Sequence, residues 1–178
     1  QNDEFGSRTI NPMELYHNQV TRAQGAFSVR RFHHSWGILM IQENISAPSA
    51  VLDFPTKEAF EQELLAHDYD VVGISSIIVN VGKVREMCRI VRRVAPNAKI
   101  VVGGHVAAIP GVETMFDADH IVKGDGISWM RSYLGEDPTA PVVHPKIVSG
   151  FGTRVMGIDI RNPPGSVAAT VIPSVGCP

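Results

Sequence analysis

Residues 70–104 restrict the fold more than any other stretch, because they hold two short apolar runs joined by a segment of helical periodicity. Val71, Val72 and Ile74 form the first run, behind Tyr69 and Asp70, and Ile100, Val101 and Val102 form the second, which ends in Gly103-Gly104. Runs this short, without polar alternation, suit strands buried on both faces of a parallel sheet. Between them Val81, Val84, Met87, Cys88, Val91 and Val94 recur at three- and four-residue steps, while Lys83, Arg85, Arg89, Arg92 and Arg93 take the remaining positions. This is the pattern of an amphipathic crossover helix. Asn80 is its expected N-cap and Ala95-Pro96-Asn97 its stop. In open α/β sheets ligands collect beyond the carboxyl ends of the strands, where this chain puts Ser75-Ser76 and Gly103-Gly104.

The flanking sequence extends the same alternation. Ala26–Arg31 alternates Phe27 and Val29 against Ser28 and Arg30 and predicts a first strand. Ala50–Phe54, closed by Pro55, predicts a second. Thr56 then caps a helix with Glu58 and Glu61 near its start, and Phe60 and Leu64 face the core. After the central unit come a short helix at Gly111–Phe116, a fifth strand at Asp119–Lys123 running into Gly124-Asp125-Gly126, and a helix at Ile127–Leu134. The apolar run Trp36–Ile41 reads equally as a helix behind Ser35 or as a buried strand. The expected fold is α/β: a Rossmann-like, flavodoxin-like doubly wound sheet of five parallel strands in the order 2-1-3-4-5.

A chain of 178 residues can bury one full core. The reading divides it into an N-terminal arm over 1–24, a domain over 25–136 and an extended connector over 137–178, where seven of the twelve prolines fall. Strands are expected within the connector at Arg154–Ile160 and Val167–Ile172. A net charge of −2 gives no bulk electrostatic reason to bind nucleic acid. No apolar run approaches the roughly 20 residues of a membrane span, and the start QNDEFGSR lacks the layout of a signal peptide. Cys88 and Cys177 make neither a disulfide framework nor a CxxC pair, so a cytoplasmic setting without membrane or nucleic-acid partners is expected.

Absent motifs narrow the chemistry. The chain has no GxGxxG, GxxxxGK[ST], GxSxG or HExxH, which removes the usual phosphate, serine-nucleophile and zinc-protease signals. A phosphoacceptor receiver would need carboxylates where the chain has Ser75 and Arg30-Arg31, although Lys123 suits one by position. Gly103-Gly104 has two readings. It is either a turn after a buried strand or a place where two missing Cβ atoms let a ligand lie against the backbone.

The succession GISSI over 73–77, a crossover helix, VVGG over 101–104 and a strand into KGDG over 123–126 resembles the cobalamin-binding domain that precedes the catalytic barrel in many radical SAM enzymes. Ser174-Val175-Gly176-Cys177-Pro178 looks like the opening of that family's CxxxCxxC cluster motif. The resemblance implies that Ser75, Ser76 and Ile77 stand in an SxL-like motif near the corrin or its nucleotide tail. It also implies that Gly103 and Gly104 admit the tail, that His105 lines the same opening, and that Gly124, Asp125 and Gly126 form the domain's closing turn. His34, in FHHSWG over 32–37, resembles the cobalt-ligating histidine of DxHxxG corrinoid carriers without its aspartate; the alternative is a surface or packing residue. Cys177 would be the first thiolate of a four-iron cluster, which one cysteine cannot hold alone. The fragment itself is therefore expected to carry no catalytic residue. In a longer parent, the resemblance implies cobalamin, a [4Fe-4S] cluster, S-adenosylmethionine and a C-terminal radical SAM domain as partner, for a methyl transfer or another radical reaction. The competing reading is a non-catalytic module of the same descent that has lost the cofactor and serves as a docking or packing surface.

Overall fold

The computed structural model describes Phe27–Arg31, residues 35–145, Val148–Val155, Ile158–Arg161 and Val167–Ala169. In chain order these hold β1 (Phe27–Arg31), α1 (Trp36–Glu43), α2 (Lys57–Ala66), β2 (Val71–Ser75), α3 (Val81–Val94), β3 (Lys99–Gly103), β4 (His120–Ile121), α4 (Gly126–Tyr133), β5 (Val148–Val155), β6 (Ile158–Arg161) and β7 (Val167–Ala169). Single 3-10 turns lie at Ile78–Asn80, His105–Ala108 and Val112–Thr114. The chain divides into two compact units, one containing Ser35–Val143 and the other containing β1 and β5 to β7.

In the first unit β2, β3 and β4 pair in parallel, with Val71 opposite Lys99, Ser75 opposite Gly103 and Val101 opposite His120. Alternation along the strands sends side chains to two faces. Val72, Ile74, Ile100, Val102 and Ile121 face Phe60 and Leu64 of α2 and Val84, Cys88 and Val91 of α3. Val71, Val101 and Val122 face Ile41 of α1 and Trp129 and Met130 of α4. Each wholly buried side chain of this size, Ile100 or Ile90 among them, contributes about 1.5–3 kcal/mol relative to exposure. The crossover helix, the Thr56 cap, which accepts from the Ala59 amide at 3.2 Å, and the buried Phe60 and Leu64 follow the sequence expectation. Trp36–Glu43 resolves as a helix.

The sheet differs from the five-stranded expectation. Ala50–Phe54 forms no strand: Pro48 and Pro55 flank the run, and Phe54 turns at φ 50°. Proline withholds ladder donors and restricts the residue before it, so Leu52 only packs on the core. The expected first strand exists as β1, but it pairs antiparallel with β5, Phe27 opposite Val155 and Arg31 opposite Phe151. β6 and β7 also pair antiparallel with β5. The parallel sheet of the described residues therefore has three strands in the order β2-β3-β4. The expected arm over 1–24 lies outside the described residues, and no helix among them is long and apolar enough to cross a membrane.

Two polar devices fix the layers. Asp119 accepts from the Ile100 amide at 2.8 Å, from Arg92 of α3 at 2.9 Å and from Lys99 at 3.4 Å. Arg92 is thus a tie between α3 and the approach to β4. Arg131, 6 % exposed, donates to Asn44 O at 2.7 Å, Asn44 Oδ1 at 3.0 Å, Ala140 O at 2.6 Å and Pro141 O at 3.2 Å. Asn44 in turn donates to Val143 O and accepts from its amide. Together they pin residues 140–143 against the end of α1. His120 of β4 lies against Trp129 and Tyr133, with ring centroids 5.4 and 5.3 Å away.

The backbone amide of Ile100 and the flanking cations hold the Asp119 carboxyl down from 3.8 to about 2. A carboxylate whose folded value is depressed contributes stability in full above its unfolded value and loses it as pH falls through the folded one. Asp119→Ala should therefore lower stability at neutral pH by about 1–2 kcal/mol. In denaturant melts it should also flatten the decline in stability between about pH 4 and pH 2.

Candidate functional site

The carboxyl ends of β2, β3 and β4 bring the sequence-predicted residues to one edge. Ser75 ends β2 and lies opposite Gly103 at the end of β3. The ladder continues one step further, since the Ser76 amide donates to Gly103 O at 2.8 Å. The Val106 amide donates back to Ser76 O at 3.3 Å. The two strand-end loops are thus tied to each other, not only to their strands.

Gly103 and Gly104 serve different ends. A Cβ on Gly104 would meet Ser76 O at 2.5 Å and Ser76 N at 2.9 Å, and its φ of 91° excludes other residues. The missing side chain at Gly104 therefore accommodates the chain's own backbone. Among the described residues, a Cβ on Gly103 would meet only Val122 O at 3.9 Å.

Gly73, which the sequence reading passed over, completes this surface. It lies opposite Val101 in the ladder, is exposed, and a Cβ there would meet nothing within 4 Å. Among the described residues, Gly73, Ser75 and Gly103 thus leave a furrow of bare or nearly bare backbone on one face of the sheet near its carboxyl edge. The only signal in the sequence is a glycine at the centre of an otherwise apolar strand. Ser76, the next residue after Ser75, is fully buried, and its hydroxyl has no hydrogen-bond partner among the described residues.

The remaining predicted residues divide. His105 is exposed at the start of the 3-10 turn that follows Gly104. Ile77 is half-buried. Asp125 acts first as the N-cap of α4, accepting from the Ile127 amide at 2.9 Å and from Ser128 Oγ at 2.6 Å. Burial pushes its carboxyl up, but the bonds from Ser128 and Ile127 outweigh this and hold it below its ordinary value. Gly124 takes φ 83°, and a Cβ on Gly126 would press on Ile41 Cδ1 at 3.2 Å, so both glycines serve the turn into α4. His34 and Cys177 lie outside the described residues.

Asn80 was expected to cap α3. Its side chain makes no cap bond to that helix; its Oδ1 accepts from the Ile77 amide at 2.7 Å and its Nδ2 donates to Ser75 O at 3.3 Å. It braces the loop that follows Ser75. Away from this edge, a cavity of about 300 Å³ is lined by Glu43, Asn44, Arg131, Glu136 and Asp137. Its groups are largely committed to one another, as in the Arg131 bonds above and the bond from the Ser46 amide to Glu136 at 2.8 Å.

The glycines separate folding from surface shape. Gly104→Ala should destabilise the domain by more than about 2 kcal/mol, through strain and a backbone clash. Gly73→Ala should leave thermal stability unchanged or raised, because alanine lacks the entropic penalty of glycine in a strand. Thermal melts of the two variants check both.

A family model described as the B12 binding domain matches residues 26–133. No curated protein and no solved structure is similar enough to this chain to count as a match. A match over more than half of the chain, spanning β2, β3, β4 and the furrow at their carboxyl edge, places this protein in the B12 binding domain family.

Proposed function

We propose that the chain binds cobalamin with the nucleotide tail lying in the furrow of Gly73, Ser75 and Gly103, and that it does so on behalf of a radical SAM catalytic domain of the same protein. The observation that carries the reading is the furrow itself, side-chain-free backbone at the edge where α/β sheets take ligands. The residues fit the group. Gly73 and Gly103 leave room against the strands, and the Ser76 hydroxyl, one residue beyond Ser75, is a buried hydrogen-bonding group without a partner among the described residues. A buried polar atom left unpaired costs about 1–3 kcal/mol, which a ligand polar atom would offset.

In this reading Ser75, Ser76, Gly103 and Gly73 hold the tail, while Ile77 and His105 border its entrance. Gly104 shapes the edge from behind, and Gly124, Asp125 and Gly126 set the start of α4. His34 is the candidate lower ligand of cobalt, since neutral imidazole suits transition metals. When bound, cobalamin supplies a cobalt centre able to carry a methyl group or take part in redox steps. This chain's residues supply orientation and exclusion of water.

The radical SAM assignment rests on the order of the motifs and on the likeness of Ser174–Pro178 to the opening of a cluster motif. Cys177 is then one thiolate of a [4Fe-4S] cluster that works with S-adenosylmethionine, the partner is the chain's own catalytic domain, and the setting is cytoplasmic. A second reading, a cofactor-free docking module, draws on Gly104, whose bare backbone is explained by Ser76 alone, and on Ile77 in place of leucine.

Incubation with hydroxocobalamin or methylcobalamin, followed by desalting, separates the two readings. Retained colour at micromolar protein is expected, and a colourless protein fraction would favour the docking module. His34→Ala should shift the visible spectrum of the retained cobalamin; an unchanged spectrum would remove His34 as a ligand. In the full-length protein, Cys177→Ala should abolish the chromophore of a reconstituted iron–sulfur cluster, and a cluster that assembles normally would remove the radical SAM assignment.

A further inference from the structure

We infer that residues 140–143 are a releasable strap latched by Asn44 and Arg131, and that on release Arg131 turns to the carboxylates of the cavity beside it. The device is independent of the furrow and of what binds there.

The strap is held by its backbone. Arg131 donates from Nη1 to Ala140 O at 2.6 Å and from Nη2 to Pro141 O at 3.2 Å. Asn44 Nδ2 donates to Val143 O at 2.7 Å, and the Val143 amide donates to Asn44 Oδ1 at 2.8 Å. The strap side chains add little, since Val142 is 39 % and Val143 53 % exposed, and residues 141–145 join no helix or strand. Segments with few buried apolar contacts open well below the free energy of global unfolding. The strap also stops at a boundary: the stretch Ser35–Val143 of the first compact unit ends at its last residue.

Release leaves neither latch residue stranded. Asn44 Nδ2 keeps its bond to Met40 O at 2.8 Å, and Arg131 keeps Asn44 O at 2.7 Å and Asn44 Oδ1 at 3.0 Å. What Arg131 loses it can replace. In the closed strap all four of its bonds go to neutral oxygens, yet Glu43, Glu136 and Asp137 line the same cavity of about 300 Å³. Hydrogen bonds from Thr139 and, to a smaller extent, the charge of Arg131 hold the Asp137 carboxyl below its ordinary value. Glu43 has neither hydrogen bond nor ion pair among the described residues. The fork of a guanidinium matches a carboxylate in two parallel bonds, so the open strap offers Arg131 a pairing of its own. Four freed residues lengthen the tether to the rest of the chain by up to about 14 Å. One guanidinium thus decides whether the chain beyond Val143 is held short or let out.

Hydrogen exchange of the whole chain, read amide by amide, tests the device. After correction for intrinsic rates, the Val143 amide should exchange about a hundredfold or more faster than the Val122 amide, which donates to Val102 O inside the sheet. Asn44→Ala should speed Val143 by about tenfold or more. Glu43→Gln removes no bond that holds the fold. It should slow Val143 by about twofold to fivefold, while any change in global stability is read separately at Val122. A carboxylate that only balances the charge of Arg131 in the closed strap predicts the reverse, faster exchange at Val143. The inference is overturned if Val143 exchanges as slowly as Val122, if Asn44→Ala leaves its rate unchanged, or if Glu43→Gln leaves that rate unchanged or raises it.

Discussion

The carboxyl edge of the sheet depends on one close approach, the backbone of Ser76 against the backbone of Gly104. No side chain fits between them: a Cβ would lie 2.5 Å from Ser76 O, and the φ of 91° with ψ of −172° belongs to glycine. Because the approach is this close, the Ser76 amide reaches Gly103 O and the Val106 amide reaches Ser76 O. The parallel ladder then runs past the ends of its strands into the loops. Loops at the edge of an α/β sheet are ordinarily its loosest parts; here they are bonded to each other before any ligand arrives. Ser75 and Gly103 are held side by side at this junction.

What lies beneath must be rigid enough to support it, and the two polar devices show how charge is used for that. Asp119 stands at the opposite end of the strands, satisfied by the Ile100 amide, Arg92 and Lys99, so that β3, β4 and α3 are tied where the ladder begins. Arg131 is the harder case. A buried guanidinium is costly unless its donors are satisfied, and this one meets four bonds to neutral oxygens of Asn44, Ala140 and Pro141, with no carboxylate among its hydrogen-bond partners. Carbonyl oxygens held by the backbone cannot rotate away, so Arg131 fixes the path of the chain leaving α4. Both devices therefore act away from the carboxyl ends of β2 and β3.

The parts of the fold legible in the sequence are those in which local pattern and tertiary environment agree. The spacing of Val84, Cys88 and Val91, the run Ile100–Val102 and the Thr56 cap each point to one structure, and that structure forms. Ala50–Phe54 was misread because an apolar run states only that a segment is buried, and Ala26–Arg31 was read rightly as a strand but placed in the wrong sheet, because alternation does not say which strand it pairs with. β1 alternates as a strand should, yet its partner is β5, whose own sequence, VSGFGTRV, is interrupted by two glycines and offers little periodicity. At the site, position along the strands was readable, so Ser75, Gly103 and Gly104 were found together. Orientation was not. Nothing in the letters distinguishes Gly104, which makes room for Ser76, from Gly103, where among the described residues only Val122 O comes within 4 Å of an added Cβ, and Asn80 could not be known to turn back towards Ser75 instead of capping α3.

Gly73 carries this reasoning one step further. Glycine inside a strand is disfavoured by about 0.5–1 kcal/mol relative to alanine, and fold-based reasons for accepting that penalty are a positive φ, a bulge or a neighbouring atom in the way. Gly73 has none of them. It sits in regular register opposite Val101, its φ is not among the positive ones, and a Cβ would meet nothing within 4 Å. A valine there would be a better strand former and would stand over the sheet face where Ser75 and Gly103 leave it bare. Among the described residues nothing fills the place of the missing side chain, and the proposed binding of a ligand against that face would give it a use. The family to which the chain belongs names a ligand with an arm long and narrow enough to do so.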